Sequence, residues 1–173
     1  MLRLLWGDIM KKRWSLAILP VLALLAFPAG ADDMEESDEA AVLAVVQRAF
    51  DALGSMDGAV WREIQHAEGT TLSVRPDPES GEWVMNMRSN EAGLAGFDGV
   101  DRGYLEQWTA EPTVMIRGAI AVVWGEYDFW INDTFSHCGV DSIDLVKLDG
   151  TWKIANFMWT AETENCPTDP NRD

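Results

Sequence analysis

Histidine, cysteine, tyrosine and positive charge are all scarce in this chain. Among 173 residues there are two histidines, two cysteines and two tyrosines, and 13 lysines and arginines stand against 29 aspartates and glutamates. Two histidines without ligand spacing argue against a zinc centre. There is no Ser-His-Asp arrangement, no phosphate-cradling loop and no dinucleotide fingerprint, so no cofactor and no metal are implied. The shortage of cations argues against nucleic acid and anionic membrane surfaces as partners. Internal repeats and linkers are absent too, and the chain reads as one domain.

The long apolar run is confined to the N-terminus. Lys11-Lys12-Arg13 precedes an apolar stretch from Trp14 to Phe27, and Ala29-Gly30-Ala31 supplies small residues at the spacing of a cleavage site. This pattern predicts a signal peptide over residues 1–31 and a periplasmic or secreted bacterial protein. The run is shorter than the roughly 20 residues of a membrane span, and acidic residues follow it at once, so no stable span is expected after cleavage. Met10, just before the basic triplet, is an alternative start. Cleavage after Ala31 removes four basic residues and one acid, leaving nine basic and 28 acidic residues. Such a polyanion favours solubility without naming a partner.

The rest begins with an acidic stretch at 32–37, expected to be irregular. An amphipathic helix over Ser37–Leu53 follows, with Val42, Val45, Val46, Ala49, Phe50 and Leu53 on one stripe and Gly54 as its cap. Asp57 caps a second, short helix that leads to His66. Strands are expected over Thr70–Val74 and Glu82–Met87, a short helix somewhere in Arg88–Gly103, and a further helix over Tyr104–Trp108. Thr113–Arg117 and Ile120–Ile131 read as strands, and Asn132-Asp133 as a turn. A polar tail covers residues 163–173. Helices first and strands last make the class α+β, a curved, mostly antiparallel sheet wrapped on the N-terminal helices.

The clearest local signal is the run from Ser136 to Asn156. Asp149-Gly150 between alternating apolar residues marks a two-residue hairpin, because a type I′ turn needs positive φ at both central positions. An unbroken register pairs 145 with 154, 143 with 156 and 141 with 158. Asp141, Ile143, Leu145, Trp152, Ile154, Asn156 and Met158 then share the core face, while Phe157 and Trp159 share the other. In the preceding strand Ala121, Val123, Gly125, Tyr127, Phe129 and Ile131 form the inward set, and Trp124 and Trp130 face outward. The same register sets Cys138 within a few residues' reach of Cys166. In an exported protein this predicts a Cys138–Cys166 disulfide rather than a reactive thiol.

These segments resemble a known superfamily. Ala40–Leu53 with Ser55-Met56-Asp57, Ile120-Ala121-Val122-Val123-Trp124, Tyr127-Asp128-Phe129, Ser136-His137-Cys138-Gly139-Val140-Asp141 and Asp149-Gly150-Thr151-Trp152-Lys153-Ile154 are similar to nuclear transport factor 2-like domains. The likeness is to the exported branch near ketosteroid isomerase-like and polyketide cyclase-like proteins, and it covers residues 38–162. It implies a cone around a pocket and a homodimer joined through the outer sheet face. It does not choose among isomerases, dehydratases, cyclases and binding modules.

Three candidate catalytic residues follow. Asp141, turned inward among apolar side chains, would have the raised pKa of a proton-abstracting base. His66, where the second helix meets the first strand, is an alternative acid–base group. Tyr127 is the candidate electrophile, and Tyr127, His137 and Asn156 are candidate ligand anchors. His137 and Asp141 share a face but stand roughly 13 Å apart along a strand, too far for a dyad. The readings left open are a binder of a small, partly apolar molecule, an isomerase- or dehydratase-type enzyme acting on a carbonyl compound, and a dimeric structural domain.

Overall fold

The computed structural model describes residues 31–168, so residues 1–30 of the expected signal peptide lie outside the described residues. The first helix, α1 (Ala31–Ser55), takes in the acidic stretch at 32–37 and runs through Gly54. The turn falls instead on Met56, whose φ is +53°. Gly54 serves a different purpose: a Cβ there would stand 3.1 Å from the Tyr104 carbonyl oxygen. The second helix, α2 (Gly58–Ile64), is capped by Asp57, whose carboxylate accepts from the Ala59 and Val60 amides, as the sequence predicts.

Seven strands follow: β1 (Gln65–Pro76), β2 (Trp83–Ser89), β3 (Tyr104–Trp108), β4 (Thr113–Arg117), β5 (Ile120–Ile131), β6 (Thr134–Leu148) and β7 (Thr151–Thr160). A short helix, α3 (Asn90–Gly93), and a 3-10 turn lie between β2 and β3. The sheet order is β2-β1-β7-β6-β5-β3, with β4 also on β5. Neighbours are antiparallel except β1 and β7, which run parallel. This is the expected α+β class. Tyr104–Trp108 corrects the expected helix: it is a strand, pairing from Tyr104 with Ile131 to Trp108 with Tyr127.

The concave face of the sheet meets the helices. Val42, Val46, Ala49 and Phe50 of α1 and Trp61 and Ile64 of α2 pack on Ala121, Val123, Ile143, Leu145, Trp152 and Ile154. Asp38 ties the start of this packing to the hairpin, accepting from Lys147 Nζ at 2.5 Å and from Trp152 Nε1 at 3.3 Å.

The hairpin departs from its simple register at one place. Asp149 and Gly150 have φ of +50° and +79°, as a type I′ turn requires. Leu145 pairs with Ile154, but Asp144 pairs with Asn156, so Ala155 is an extra residue. This β-bulge reverses the facing of everything after it. Phe157 is buried, whereas Met158 is 42% exposed. Asn156 and Met158 therefore leave the core face, and Phe157 and Trp159 take their place. Asn90 holds the bulge open. Its side-chain amide donates to the His66 and Ala155 carbonyls at 2.9 and 3.2 Å, and its own oxygen accepts from the Thr71 hydroxyl at 3.0 Å.

Cys138 and Cys166 form the expected disulfide, with their Cα atoms 5.6 Å apart. The bridge straps the C-terminal segment over the β5–β6 corner, where the Thr168 hydroxyl donates to the buried Asp128.

Candidate functional site

The cone encloses a cavity of about 270 Å³. Its walls are mostly aromatic. Trp61 stacks on Phe97 at 4.9 Å on the helix side, and Phe129 stacks on His137 at 4.8 Å on the sheet side. Phe157 and Trp159, brought inward by the bulge, close a third wall. Glu106, Tyr127, His137, Thr71 and Arg88 add polar groups to this lining.

Glu106 is the chemically distinctive one. It is 9% exposed and sits in the middle of β3. Its carboxyl meets that of Asp141, which is fully buried on β6. No hydrogen-bond donor among the described residues reaches either Asp141 oxygen. Two bare carboxylates in contact would repel, so the contact requires a proton. Burial pushes the Glu106 pKa up to about 7, the hydrogen bond from Asp141 working in the opposite direction. Burial, then the charge and hydrogen bond of Glu106, pushes Asp141 well above the ordinary carboxylate range. The two carboxyls share a proton and titrate as a pair.

The neighbours are neutral. Tyr127 is nearly fully buried, and burial together with the nearby acids raises its pKa. Its hydroxyl donates to the Thr160 carbonyl at 2.7 Å. Only its lone pairs remain for a ligand, which does not suit the expected electrophile. Gly139, opposite Tyr127 in the sheet, makes room for this contact: a Cβ there would lie 2.0 Å from Thr160 O and 2.9 Å from the Tyr127 ring. Burial lowers the His137 pKa, and its Nδ1 lies 3.1 Å from the Ser136 hydroxyl. His137 is therefore a neutral side chain at neutral pH.

The structure brings Tyr127 and His137 to one cavity, with Asp141 buried behind its Glu106 wall, and leaves two expected residues outside it. His66 lines a separate surface groove between the helices and the hairpin, beside Arg48, Glu63 and Trp152. Asn156 lies on the outer face, donating to Asp144 at 3.1 Å and accepting from the Thr70 hydroxyl at 2.8 Å. Glu106 and Arg88 were not legible as site residues. Glu106 had a signal, since Tyr104, Glu106 and Trp108 alternate with Leu105 and Gln107 in the period of a strand. Among the described residues no group of three or more His, Cys, Asp or Glu could hold a metal ion, and no helix is long and apolar enough to cross a membrane.

No family model matches the chain, and no curated protein matches it. Solved structures do resemble it. Rv3472 of Mycobacterium tuberculosis, a protein of unknown function, superposes with a TM-score of 0.62 at 16% identity, over 77% of this chain and 76% of that one. A nuclear transport factor 2-like superfamily protein of Salmonella enterica gives 0.56 at 15% identity, over 79% and 97%. A scytalone dehydratase-like protein of Novosphingobium aromaticivorans gives 0.58 at 14% identity, over 75% and 87%. At these identities the likeness carries the architecture and no activity. The helix-filled cone, its mixed seven-stranded sheet and these superpositions agree: the chain has the nuclear transport factor 2-like fold.

Proposed function

We infer that the cone binds a small, partly apolar molecule and that Glu106 exchanges a proton with it. The observation that carries this reading is a buried carboxyl, lining an aromatic cavity, with its proton affinity brought near neutrality. A general base works best when its pKa lies near the working pH. Asp141 is a positioning residue: it lies behind Glu106, and its carboxyl backs the Glu106 carboxyl. The aromatic walls suit a flat ligand, and a carbonyl compound with an acidic C–H is the matching substrate class. Glu106 would take that proton and return it to another carbon, or lose it with a leaving group.

The test uses a flat two-ring ketone, 2-acetylnaphthalene, in D2O. Bound ketone is expected to exchange its methyl protons for deuterium, faster as pH rises through about 7, where Glu106 becomes the carboxylate. Glu106→Gln should keep binding and lose exchange. Binding without exchange above the buffer rate supports the second reading, a binder without turnover, which the apolar lining favours. No binding at all removes both.

Export and self-association belong to the same proposal. Export predicts a mature chain whose intact mass begins at Asp32, and the disulfide is compatible with it. Met85, Met87, Met115, Trp124 and Met158 are exposed, most on the outer sheet face, and a second copy would cover them. Sedimentation of the intact protein and of Trp124→Glu tests this, a dimer being expected only for the former.

A further inference from the structure

The rim of the cavity carries a second, unlike charge. Arg88 lies on β2, paired with Thr71 of β1, and both line the cavity. Its guanidinium rests against Gly93 of α3, with Nε 3.3 Å from the position a Cβ would occupy. Arg88 has no ion-pair or hydrogen-bond partner among the described residues, and it is the basic residue that lines this cavity.

One cross-strand pair further, Ser73 faces Asn86. Thr71, Ser73, Asn86, Arg88 and Trp159 together line a small recess of about 50 Å³ that continues the main cavity. The Thr71 hydroxyl is committed to Asn90. Among the described residues the guanidinium, the Ser73 hydroxyl and the Asn86 amide have no acceptor. A recess of this size takes one or two waters' worth of matter, roughly that of a carboxylate.

The cavity is therefore two-ended. Its floor is Glu106, with Asp141 buried behind it, and this pair repels an anion whenever it carries its one negative charge. Its rim is a cation beside two neutral donors, in a chain whose net charge is −16. The aromatic walls lie between. We propose that the natural ligand is an organic anion: a carboxylate seated on Arg88, Ser73 and Asn86, with a flat apolar body reaching down to Glu106. This rests on the pocket reading above and adds the acidic group to it. An arginine–carboxylate contact is charge-assisted and fixes which end of the ligand enters first. The carbon to be deprotonated then arrives at Glu106 by orientation, not chance.

Two probes of one shape separate the claims: 2-naphthoate and neutral 2-acetylnaphthalene, titrated by tryptophan fluorescence and calorimetry into wild type, Arg88→Gln and Arg88→Lys. Wild type is expected to prefer naphthoate about tenfold or more, the size of a charge-assisted hydrogen bond. Arg88→Gln should lose that preference, and Arg88→Lys should keep part of it. Arg88 is exposed, so these variants are expected to fold, and circular dichroism checks that they do. Ketone binding with no preference for naphthoate, or a preference that survives Arg88→Gln, overturns the anion and leaves the pocket reading standing. Failure of both probes to bind overturns the two together.

Discussion

Glu106 and Asp141 should make the protein less stable as pH rises through the neutral range, and the size of the effect follows from the site. Below pH 4.5 Glu106 is protonated whether the chain is folded or not, and its burial carries no ionic penalty. Between 4.5 and about 7 the unfolded chain releases the proton and the folded chain retains it, so stability falls with rising pH. Above about 7 both states are ionised and the loss is complete. Moving this carboxyl from 4.5 to about 7 corresponds to about 3 kcal/mol, at about 1.4 kcal/mol per tenfold change in proton affinity. About 1 kcal/mol of it falls between pH 6 and 8, where ordinary carboxylates have finished titrating. Asp141, also raised, acts in the same direction. Urea denaturation at pH 5, 6, 7 and 8 reads the effect. With a slope of about 1.5 kcal/mol/M, the wild-type midpoint should drop by about 2 M over the full range. Repulsion among the many surface acids adds a background that the double variant Glu106→Gln/Asp141→Asn largely shares. The variant keeps two neutral side chains of the same shape, so its profile should be shallower by the amount above. Superimposable profiles for wild type and variant would refute the buried, proton-sharing pair.

The other predictions concern the frame around the pair. Breaking the Cys138–Cys166 bridge, which closes a separation of 28 residues, should cost about 3.5 kcal/mol from loop entropy. Thermal melts with and without reductant should then differ by about 10 °C, and a shift near zero would mean the tail is held without the bridge. Gly139→Ala places a Cβ 2.0 Å from the Thr160 oxygen, and urea unfolding should show a loss of about 3 kcal/mol. Equal stability would place the strands further apart than the sheet register does. Asn90→Ala leaves the His66 and Ala155 carbonyls and the Thr71 hydroxyl without their buried partner, and should cost about 3 kcal/mol. Slow amide exchange retained around Ala155 in that variant would count against Asn90 as the clasp of the bulge.

The parts of the fold that depend on neighbours in sequence were legible; those that depend on distant partners were not. Asp149-Gly150 and the alternation around it specify the hairpin as far as Leu145 and Ile154. Beyond that point the register depends on β1, which pairs with β7 from the far end of the chain, and on Asn90, which fills the bulge. Nothing within Thr151–Thr160 marks Ala155 as the extra residue, so Asn156 was placed in the core and Phe157 outside it. Asp141 lies on the strand opposite the extra residue, so it keeps the inward facing expected of it while its partner becomes Trp159. β3 is five residues long, too short for its two-residue period to outweigh the helix-like spacing of Tyr104, Leu105 and Trp108. Misreading that segment hid Glu106, and with it the carboxyl that Asp141 meets. Arg88 is the penultimate residue of β2, near a Gly-rich stretch, and its facing is set by pairing with Thr71.

The acid pair is a poor choice for stability alone. Asp141 faces Gly125 across one strand boundary and Trp159 across the other, and Trp108 covers Gly125. None of these offers a donor to its carboxyl. Leucine and methionine side chains of similar size would fill the space without the desolvation penalty, and replacing buried ionisable pairs in this way is often neutral or stabilising. The fold instead carries two carboxyls whose ionisation costs about 3 kcal/mol at neutral pH through Glu106 alone. The strap at Cys138–Cys166 offsets about 3.5 kcal/mol by the loop-entropy argument. It does so on the outer side of the same strand, three residues from Asp141. A destabilising group kept beneath an open aromatic cavity, with its cost met by a nearby crosslink, is the pattern expected where a site is retained for what it does to a ligand.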